Sequence, residues 1–229
     1  MTEPVIPLPA PTLLPVRGGG AFPVRRIYCV GRNFSEHAAE MGASVDRGNP
    51  VFFHKPADAI VAGGGDVPYP SGTSDLHHEV ELVVALGRDA DGVVAVDGAM
   101  DLVFGYGVGL DLTRRDLQAR AKAKGLPWDT AKGFDHSAPA SELVPVAAAG
   151  ELGPRLLWLD VNRQRRQQST LDAMVFTVAE VINELSRLYA LKAGDLVFMG
   201  TPAGVAALHQ GDRFRAGIEG LVEFEGRIA

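Results

Sequence analysis

Two glutamates on one side of a predicted strand are the first residues whose spacing suggests chemistry. Glu79 and Glu81 lie in the stretch DLHHEVELVVALG, whose apolar residues are typical of a β-strand. Because successive strand side chains point to opposite faces, residues two apart share a face, and these two carboxylates are expected side by side. Like charges this close repel each other, so the pattern indicates either a solvated face or a cation between them.

A third carboxylate, Asp111, follows a second apolar stretch, VFGYGVGL, just before a predicted helix. Three acids from the ends of two strands would form an oxygen-rich site that suits a hard cation such as Mg²⁺ or Mn²⁺. Such a site would leave positions open for substrate and water. His77 and His78 precede the glutamates, but a histidine in a sheet is more often a hydrogen-bonded structural group, and we do not assign them as ligands.

The elements expected to position these acids are many short strands and few helices. Strands are predicted over RRIYCVG, LHHEVELVVALGR, VFGYGVGLDL, LLWLDVN and the tail GLVEFEGRI. The stretch PVFFHKPADAIV is predicted to be extended, and DLVFMGTPAGV to be a strand that runs into a Gly/Pro loop. A brief helix is predicted over NFSEHAAEMG and is expected to end at Gly42. Because strands and helices do not alternate regularly, the order favours a β-rich α+β fold with few helices over a doubly wound one.

Two further helices carry end signals in the sequence. The stretch TRRDLQARAKAKG predicts an exposed helix with Thr113 as its N-cap and Gly125 as its C-cap. The stretch FTVAEVINELSRLYALKAG has apolar residues at intervals of three and four, and Thr177 and Glu180 form a capping box at its start. Gly194 is the expected end of this helix.

Composition limits the partners and the compartment. The chain has a net charge of −6, so it lacks the basic field that nucleic acids or anionic membranes need. No apolar run is long enough to span a membrane. Cys29 is the only cysteine and lies among apolar residues, which indicates a buried thiol and, without a possible disulfide, a reducing cytoplasm.

The expected organisation is one domain preceded by an arm. Residues 1–24 are rich in proline and are predicted to form an extended N-terminal arm, without the basic and then apolar pattern of a signal peptide. Residues 25–229 contain no internal repeat, low-complexity tract or linker, and we predict that they form a single catalytic domain.

Six ordered blocks of sequence resemble the fumarylacetoacetate hydrolase superfamily, in its short acylpyruvate hydrolase branch. They are YCVGRNFSEHAAEMG, VFFHKPADAIV, HHEVEL, GLDLTRRDLQ, KGLPWDTAKGFD and GTPAGV, and the resemblance extends from about Arg25 to the C-terminus. It implies a mixed β-sandwich roll, a homodimer, and one Mg²⁺ or Mn²⁺ per subunit. The implied metal ligands are Glu79, Glu81 and Asp111.

The resemblance also implies an activity on a small anionic 2-oxo acid. The expected reaction hydrolyses a C–C bond of an acylpyruvate, with fumarylpyruvate giving fumarate and pyruvate in the breakdown of aromatic compounds. A divalent cation would stabilise the pyruvate enolate that leaves. An oxaloacetate decarboxylase, or a related lyase or isomerase on the same scaffold, remains an alternative. A non-catalytic, metal-stabilised scaffold ranks lower because it leaves the other site residues without roles.

Four residues are implied in catalysis. His37 and Glu40 are three apart and share one face of a short helix, a spacing that is by itself typical of solvated charges. The resemblance makes them a His-x-x-Glu dyad on a lid, where they would activate water. It also makes Lys132 a cation beside the oxyanion or enolate, and Gln118 a group that orients water or substrate.

Substrate contacts are expected from a further set of residues. The fork of Arg115 suits a bidentate clamp on a carboxylate. Lys55, which follows an apolar strand, is expected to line the pocket, although it could equally be a strand-end lysine that reaches solvent. Gly200 and Thr201 could offer backbone N–H groups and a hydroxyl to an anion, and Arg32 could join the pocket wall.

Two positions depart from the pattern of the superfamily. Arg163 replaces a turn glycine in the hairpin that follows LLWLDV, which could alter that hairpin. Met199 stands where threonine is common before the Gly-Thr-Pro segment, which could remove a hydroxyl near the site.

Overall fold

The structure, a computed structural model, describes residues 3–40, 46, 48 and 50–229. In these residues the strands are β1 (Leu13–Pro15), β2 (Ala21–Pro23), β3 (Arg26–Gly31), β4 (Val51–Lys55), β5 (Ile60–Ala62), β6 (Gly64–Val67), β7 (Leu76–His77), β8 (Val80–Leu86), β9 (Val103–Leu110), β10 (Thr113–Arg114), β11 (Ala138–Ala140), β12 (Val144–Pro145), β13 (Leu156–Val161), β14 (Gln164–Thr170), β15 (Asp195–Phe198), β16 (Ala207–Leu208), β17 (Arg213–Ile218) and β18 (Val222–Ile228). The helices are α1 (Ser35–Glu40), α2 (Arg115–Lys124), α3 (Asp129–Lys132), α4 (Val146–Ala149) and α5 (Val178–Leu188), with 3₁₀ turns at Ala57–Ala59, Val96–Leu102 and Leu171–Ala173.

Two larger sheets form the body of the described chain. One has the order β4-β3-β15-β8-β9-β11-β5, with β12 paired to β9, and the other has the order β14-β13-β17-β18-β6. The first sheet is mixed, because β15 runs parallel to β3 and antiparallel to β8. A small sheet, β10-β7-β16, and the β1-β2 hairpin complete the architecture. The predicted β-rich mixed fold with few helices is confirmed.

Strand β8 lies at the centre of the first sheet, and both of its faces are covered. Leu82, Val84 and Leu86 pack into one core, which is shared with the second sheet and α5. Val83 and Ala85 pack into a second core on the opposite face. Strand β8 is therefore buried on both faces, and any carboxylate at its start lies in the protein interior.

Helix α2 confirms one predicted cap and corrects the other. It ends at Gly125, which adopts the left-handed conformation with φ 63°. It begins after Arg114, so Thr113 is not its N-cap. Thr113 instead pairs in β10 with His77 of β7, and its hydroxyl donates to Glu79. The tertiary partner therefore outcompetes the local capping role.

Helix α5 starts as predicted but ends earlier. Thr177 and Glu180 form the reciprocal capping box. The helix ends at Leu188 instead of Gly194. Tyr189, which follows the helix, has an extended backbone. Leu191 is fully buried in the core, and its carbonyl accepts a hydrogen bond from Ala90 N. The chain therefore leaves the helix before it reaches the glycine.

The N-terminal arm is more than an extended segment. Strands β1 and β2 pair as a hairpin, and Leu14 and Phe22 bury their side chains against the second core. Val5, Ile6 and Leu8 precede the hairpin and are exposed. The predicted end of α1 at Gly42 lies outside the described residues.

The β13-β14 hairpin accommodates the residue that replaces the turn glycine. Asn162 and Arg163 both have positive φ, at 52° and 66°. Two consecutive residues with positive φ are typical of a type I′ turn, in which glycine is favoured at the second position. The turn therefore forms at the cost of backbone strain at Arg163.

In the described residues, none of the helices is long and apolar enough to cross a membrane.

Candidate metal centre and active site

Three buried carboxylates meet where β8 and β9 lie side by side. One oxygen from each of Glu79, Glu81 and Asp111 lies within 4.8 Å of the others. The antiparallel register places Glu81 opposite Gly109, and Asp111 N donates to Glu79 O at 2.8 Å. Glu79 itself falls in the break between β7 and β8, so the single continuous strand that we predicted is interrupted here. The two glutamates still converge.

Basic side chains surround Glu79. Its Oε1 accepts from Arg115 Nη2 at 2.6 Å and from Thr113 Oγ1 at 3.1 Å, and its Oε2 accepts from Lys132 Nζ at 2.8 Å. Lys132 Nζ also donates to Asp111 Oδ2 at 2.6 Å. Burial alone would raise the pKa of Glu79, but the charges of Lys132 and Arg115 outweigh it and hold this pKa well below its usual range.

Glu81 has the opposite environment. Burial, together with the charges of Asp111 and Glu79, raises the pKa of Glu81 well above its usual range. Its Oε2 accepts one hydrogen bond, from Gly200 N at 2.8 Å. Without a further positive charge, this environment disfavours the ionised form of the carboxyl. A divalent cation would remove that repulsion, so the electrostatics of the cluster suit a metal ligand set.

One oxygen of Asp111 is the second observation that fits a cation. Asp111 Oδ1 is buried and, among the described residues, accepts no hydrogen bond. Lys55 Nζ lies 2.8 Å from it, at ion-pair distance but without hydrogen-bond alignment. Buried carboxylate oxygens normally accept hydrogen bonds, and one that accepts none, in a cluster with two other acids, fits a hard divalent cation.

Lys55 supports the site from behind and does not line the cavity, which differs from the expected substrate contact. Its Nζ is fully buried and donates to the backbone carbonyls of Leu112, at 3.0 Å, and of Lys132. The same Nζ forms the ion pair with Asp111. Because these three partners surround the ammonium group, Lys55 fixes Asp111 and the α3 turn.

Gly200 also has a different role from the one we expected. Its N–H donates to Glu81 and is therefore not free for a substrate anion. It orients a candidate ligand instead. Thr201 does line the cavity, and its hydroxyl oxygen accepts from Gln167 Nε2 at 2.8 Å, which leaves its own hydrogen available to donate.

Gln167 is a site residue that the sequence did not reveal. Its Oε1 accepts from Val80 N at 3.1 Å and lies 2.9 Å from His78 Nδ1. Its Nε2 donates to Thr201 Oγ1 and to Pro202 O. Gln167 thus ties the start of β8 to the Gly-Thr-Pro loop. It lies in NRQRRQQ, which is typical of a solvated turn, so no local signal marked it.

The two histidines next to the glutamates are structural, as expected. His78 contacts Gln167, and burial lowers the pKa of His78 to about 4, so this imidazole is neutral. His77 Nε2 lies 2.8 Å from Asp75 Oδ1. Neither histidine contributes to the carboxylate cluster.

The predicted dyad is present on α1, but its members are apart. His37 Nδ1 lies 3.8 Å from Glu40 Oε2, which is too far for a hydrogen bond, and this buried nitrogen has no hydrogen-bond partner among the described residues. Both oxygens of Glu40 instead accept from Gly204 N, at 3.2 and 3.1 Å. Burial lowers the pKa of His37, so a neutral imidazole faces the site.

A single cavity joins most of the predicted residues. It is lined by Arg32, His37, Glu79, Glu81, Asp111, Arg115, Gln118, Lys132 and Thr201. Three of the residues expected at the site, Glu40, Lys55 and Gly200, are not part of its lining. Gln118 is buried, and its Oε1 accepts from Arg115 Nη1 at 2.5 Å. The lining also includes Lys122 and Trp128, which sequence reasoning missed.

The mixed sheets and the clustered acids define a β-rich enzyme class built around a buried carboxylate site. The chain belongs to the fumarylacetoacetate hydrolase family: residues 26–229 match the family described as fumarylacetoacetate (FAA) hydrolase C-terminal. The resemblance noted in the sequence is thereby confirmed.

Known proteins extend this family assignment. The crystal structure of fumarylpyruvate hydrolase from Pseudomonas aeruginosa in complex with Mn²⁺ and pyruvate has a TM-score of 0.95 and 42% identity, over 99% of each chain. A fumarylpyruvate hydrolase of Ralstonia sp is 41% identical over 186 residues, 80% of this chain and 95% of its own. A mitochondrial oxaloacetate tautomerase of Rattus norvegicus is 41% identical over 204 residues, 89% of this chain and 91% of its own. The expectation of an enzyme is confirmed.

Proposed function

We propose that the protein hydrolyses the C3–C4 bond of an acylpyruvate, with fumarylpyruvate giving fumarate and pyruvate, and that it requires Mg²⁺ or Mn²⁺. The observation that carries this proposal is the cluster of Glu79, Glu81 and Asp111, within 4.8 Å of one another, beside a neutral His37. The similar structure that contains Mn²⁺ and pyruvate supports both the cation and the pyruvyl half of the substrate.

In this proposal Glu79, Glu81 and Asp111 would hold the cation. When bound there, the cation would supply a Lewis acid that polarises the pyruvyl end of the substrate. Lys132, whose Nζ contacts Glu79 and Asp111, keeps a positive charge beside the developing oxyanion. Burial lowers the pKa of Lys132, but the Asp111 and Glu79 charges outweigh this and raise it, so the lysine stays protonated.

His37 is the proposed base. Its unpaired Nδ1 or its other ring nitrogen accepts a proton from water, and the resulting hydroxide adds to the 4-oxo carbon. The C3–C4 bond then breaks and its electron pair enters the enolate of pyruvate. C3 takes up the proton that His37 had removed from water, which gives pyruvate and restores the neutral imidazole. Glu40, 3.8 Å from His37, stabilises the protonated imidazole. Gln118, whose Oε1 accepts from Arg115, keeps its amide N–H groups available to the polar groups of the substrate.

A second candidate function is action on oxaloacetate. Two relatives favour it: the tautomerase of Rattus norvegicus and an oxaloacetate decarboxylase of Dictyostelium discoideum, which is 40% identical over 201 residues. Decarboxylation and tautomerisation need no attacking water. The neutral His37 next to the acids favours hydrolysis over decarboxylation, because it provides a base that can activate water. Tautomerisation would use the same base to remove a proton from C3, so the assay below has to separate it from hydrolysis.

The decisive assay offers both substrate types to the same protein. The protein is loaded with Mg²⁺ or Mn²⁺ and incubated separately with fumarylpyruvate, acetylpyruvate and oxaloacetate. Pyruvate, fumarate and carbon dioxide are quantified, and the keto and enol forms of oxaloacetate are followed by ultraviolet absorbance. Equal amounts of fumarate and pyruvate from fumarylpyruvate support the hydrolase. Turnover of oxaloacetate without cleavage of either acylpyruvate would overturn it in favour of the second candidate.

We also propose the setting in which this chemistry operates. In this proposal the protein is a homodimer in the cytoplasm that acts in the breakdown of aromatic compounds. The buried thiol of Cys29 suits a reducing compartment. Light scattering of the purified protein tests the dimer directly. A mass of one chain across the working concentration range would remove that part of the proposal.

A further inference from the structure

One face of helix α2 carries a polar stripe that extends beyond the carboxylate cluster. Arg115, Gln118 and Lys122 are spaced at three and four residues, which places them on one helix face, and all three line the cavity. Arg115 contacts Glu79 directly. Since a helix rises about 1.5 Å per residue, Lys122 lies about 10 Å farther along the axis. The stripe therefore connects the acids to a more distant part of the cavity.

Lys122 carries a positive charge that forms no ion pair with any carboxylate among the described residues. Its Nζ lies 5.1 Å from the centroid of the Trp128 ring, a cation–π distance. Within the described part of the chain, no carboxylate lies at ion-pair distance from it. Burial, Arg115 and Arg32 together lower the pKa of Lys122, as expected for an ammonium group among like charges. The nearby cations Arg115 and Lys132, in contrast, are both paired with Glu79.

Arg32 is a second cation of this kind. It follows β3, lines the same cavity, and among the described residues forms no ion pair. Its φ is 62°, in the left-handed region that a residue with a long side chain rarely adopts. A strained backbone conformation of this kind persists only where the surrounding structure enforces it, and such residues are common at ligand sites.

The neighbouring cavity offers a weaker place for an anion. It has a volume of about 360 Å³ and shares Phe53, Trp128 and Lys132 with the site. Asp129 lines this cavity and would repel an anion. Lys132, the lysine in its lining, already forms ion pairs with two carboxylates. An anionic group that extends from the carboxylate cluster is therefore attracted to Lys122 and Arg32 instead.

We propose that Lys122 and Arg32 bind the distal carboxylate of an acylpyruvate whose acyl group ends in an acid. This inference rests on the proposed function, because the pyruvyl end must occupy the carboxylate cluster for the other end to reach α2. It makes the enzyme selective for dicarboxylates such as fumarylpyruvate over acylpyruvates with an uncharged end, such as acetylpyruvate.

Kinetic selectivity provides the first test. The ratio of kcat/KM for fumarylpyruvate to kcat/KM for acetylpyruvate is measured for the wild-type protein and for Lys122→Met. We expect the ratio to fall about tenfold or more in the variant, chiefly through KM for fumarylpyruvate, because a charge-assisted contact to one substrate is lost. Lys124→Met is the matched control, since it removes an exposed lysine from the same helix turn outside the cavity. An unchanged ratio in Lys122→Met, or an equal fall in Lys124→Met, overturns the proposal.

Binding provides a second test that does not depend on turnover. Calorimetry on the Mn²⁺-loaded protein compares fumarate with crotonate, which has a methyl group in place of one carboxylate. We expect fumarate to bind about tenfold more tightly to the wild-type protein, and the difference to disappear in Lys122→Met. If the protein hydrolyses no acylpyruvate, the proposed function is wrong. The difference in affinity between fumarate and crotonate still tests whether Lys122 and Arg32 bind a carboxylate. Equal affinities in the wild-type protein would contradict the subsite. Circular dichroism shows whether each variant is folded.

Discussion

The carboxylate cluster and the His37–Glu40 dyad lie beside each other but are built differently. Glu79, Glu81 and Asp111 lie at the ends of buried strands, and lysine, arginine and backbone donors hold them. The dyad lies on the six-residue helix α1, with Glu40 half exposed. The carboxylates of the cluster are held by hydrogen bonds and ion pairs in the absence of substrate, and Asp111 Oδ1 is a buried oxygen that accepts no hydrogen bond among the described residues. His37 and Glu40, in contrast, do not form a hydrogen bond with each other. Metal binding is thus expected to be separable from water activation.

The largest effect is expected where the cluster itself is broken. Asp111→Asn removes the negative charge of the carboxylate whose Oδ1 accepts no hydrogen bond in the described part of the chain. The change weakens the cation site and leaves the positive charges of Lys55 and Lys132 without one of their partners. We expect Mn²⁺ affinity to fall about a hundredfold or more and hydrolysis to fall at least as much. Calorimetric metal titration and the pyruvate assay measure the two quantities. Wild-type affinity in a folded Asp111→Asn protein would remove Asp111 from the ligand set.

A smaller loss, confined to turnover, is expected in the dyad. Glu40→Gln keeps the size of the side chain but removes the charge that stabilises protonated His37. Hydrolysis of fumarylpyruvate should fall about a hundredfold, the usual range for general acid–base catalysis. Mn²⁺ affinity should stay at the wild-type value, which separates the dyad from the cluster. Hydrolysis at an unchanged rate would exclude Glu40 from the mechanism.

The link between the cluster and the Gly-Thr-Pro loop should give an intermediate phenotype. Gln167→Leu leaves Val80 N and Thr201 Oγ1 without their buried partner. We expect a loss of about 2 kcal/mol in the free energy of unfolding, from unsatisfied buried groups. We also expect a loss of about tenfold in kcat/KM, because Thr201 lines the cavity. Denaturant titration and kinetics test the two losses. The more exposed neighbour Gln168 supplies the control variant Gln168→Leu.

The smallest expected effect is the change of activity with pH, which depends on the protonation of His37. Burial lowers the pKa of His37 below its ordinary value of 6.5, and only the neutral imidazole can accept a proton from water. Activity should therefore persist as the pH falls to 6.5, and be lost at lower pH as His37 becomes protonated. The negative charge of Glu40 raises the pKa of His37, so Glu40→Gln should move this acidic limb to still lower pH. A limb centred above pH 6.5 would contradict the neutral base.

The two regions also differ in how far the sequence predicted them. Strand alternation and strand ends placed Glu79, Glu81 and Asp111 together, because a two-residue period survives the short break at Glu79. The spacing of His37 and Glu40 showed a shared helix face, but a face alone did not show a separation of 3.8 Å or the Gly204 contact.

The roles of several other residues depend on tertiary contacts, which a local sequence pattern does not predict. Thr113 has the residue type of an N-cap, yet its hydroxyl is used by Glu79. Lys55 and Gly200 were placed next to the site correctly, but their donors are satisfied by backbone carbonyls and by Glu81. Lys122, in contrast, repeats the helical spacing of Arg115 and Gln118, so a signal for it was present in the sequence.

Metal removal tests the central claim most directly. The protein is treated with a chelator, freed of it by gel filtration, and assayed for bound metal and for hydrolysis of fumarylpyruvate before and after Mn²⁺ is restored. We predict one bound Mn²⁺ per chain, loss of hydrolysis in the metal-free protein, and recovery on addition of the ion. Full hydrolytic activity in protein that contains no metal would contradict the account.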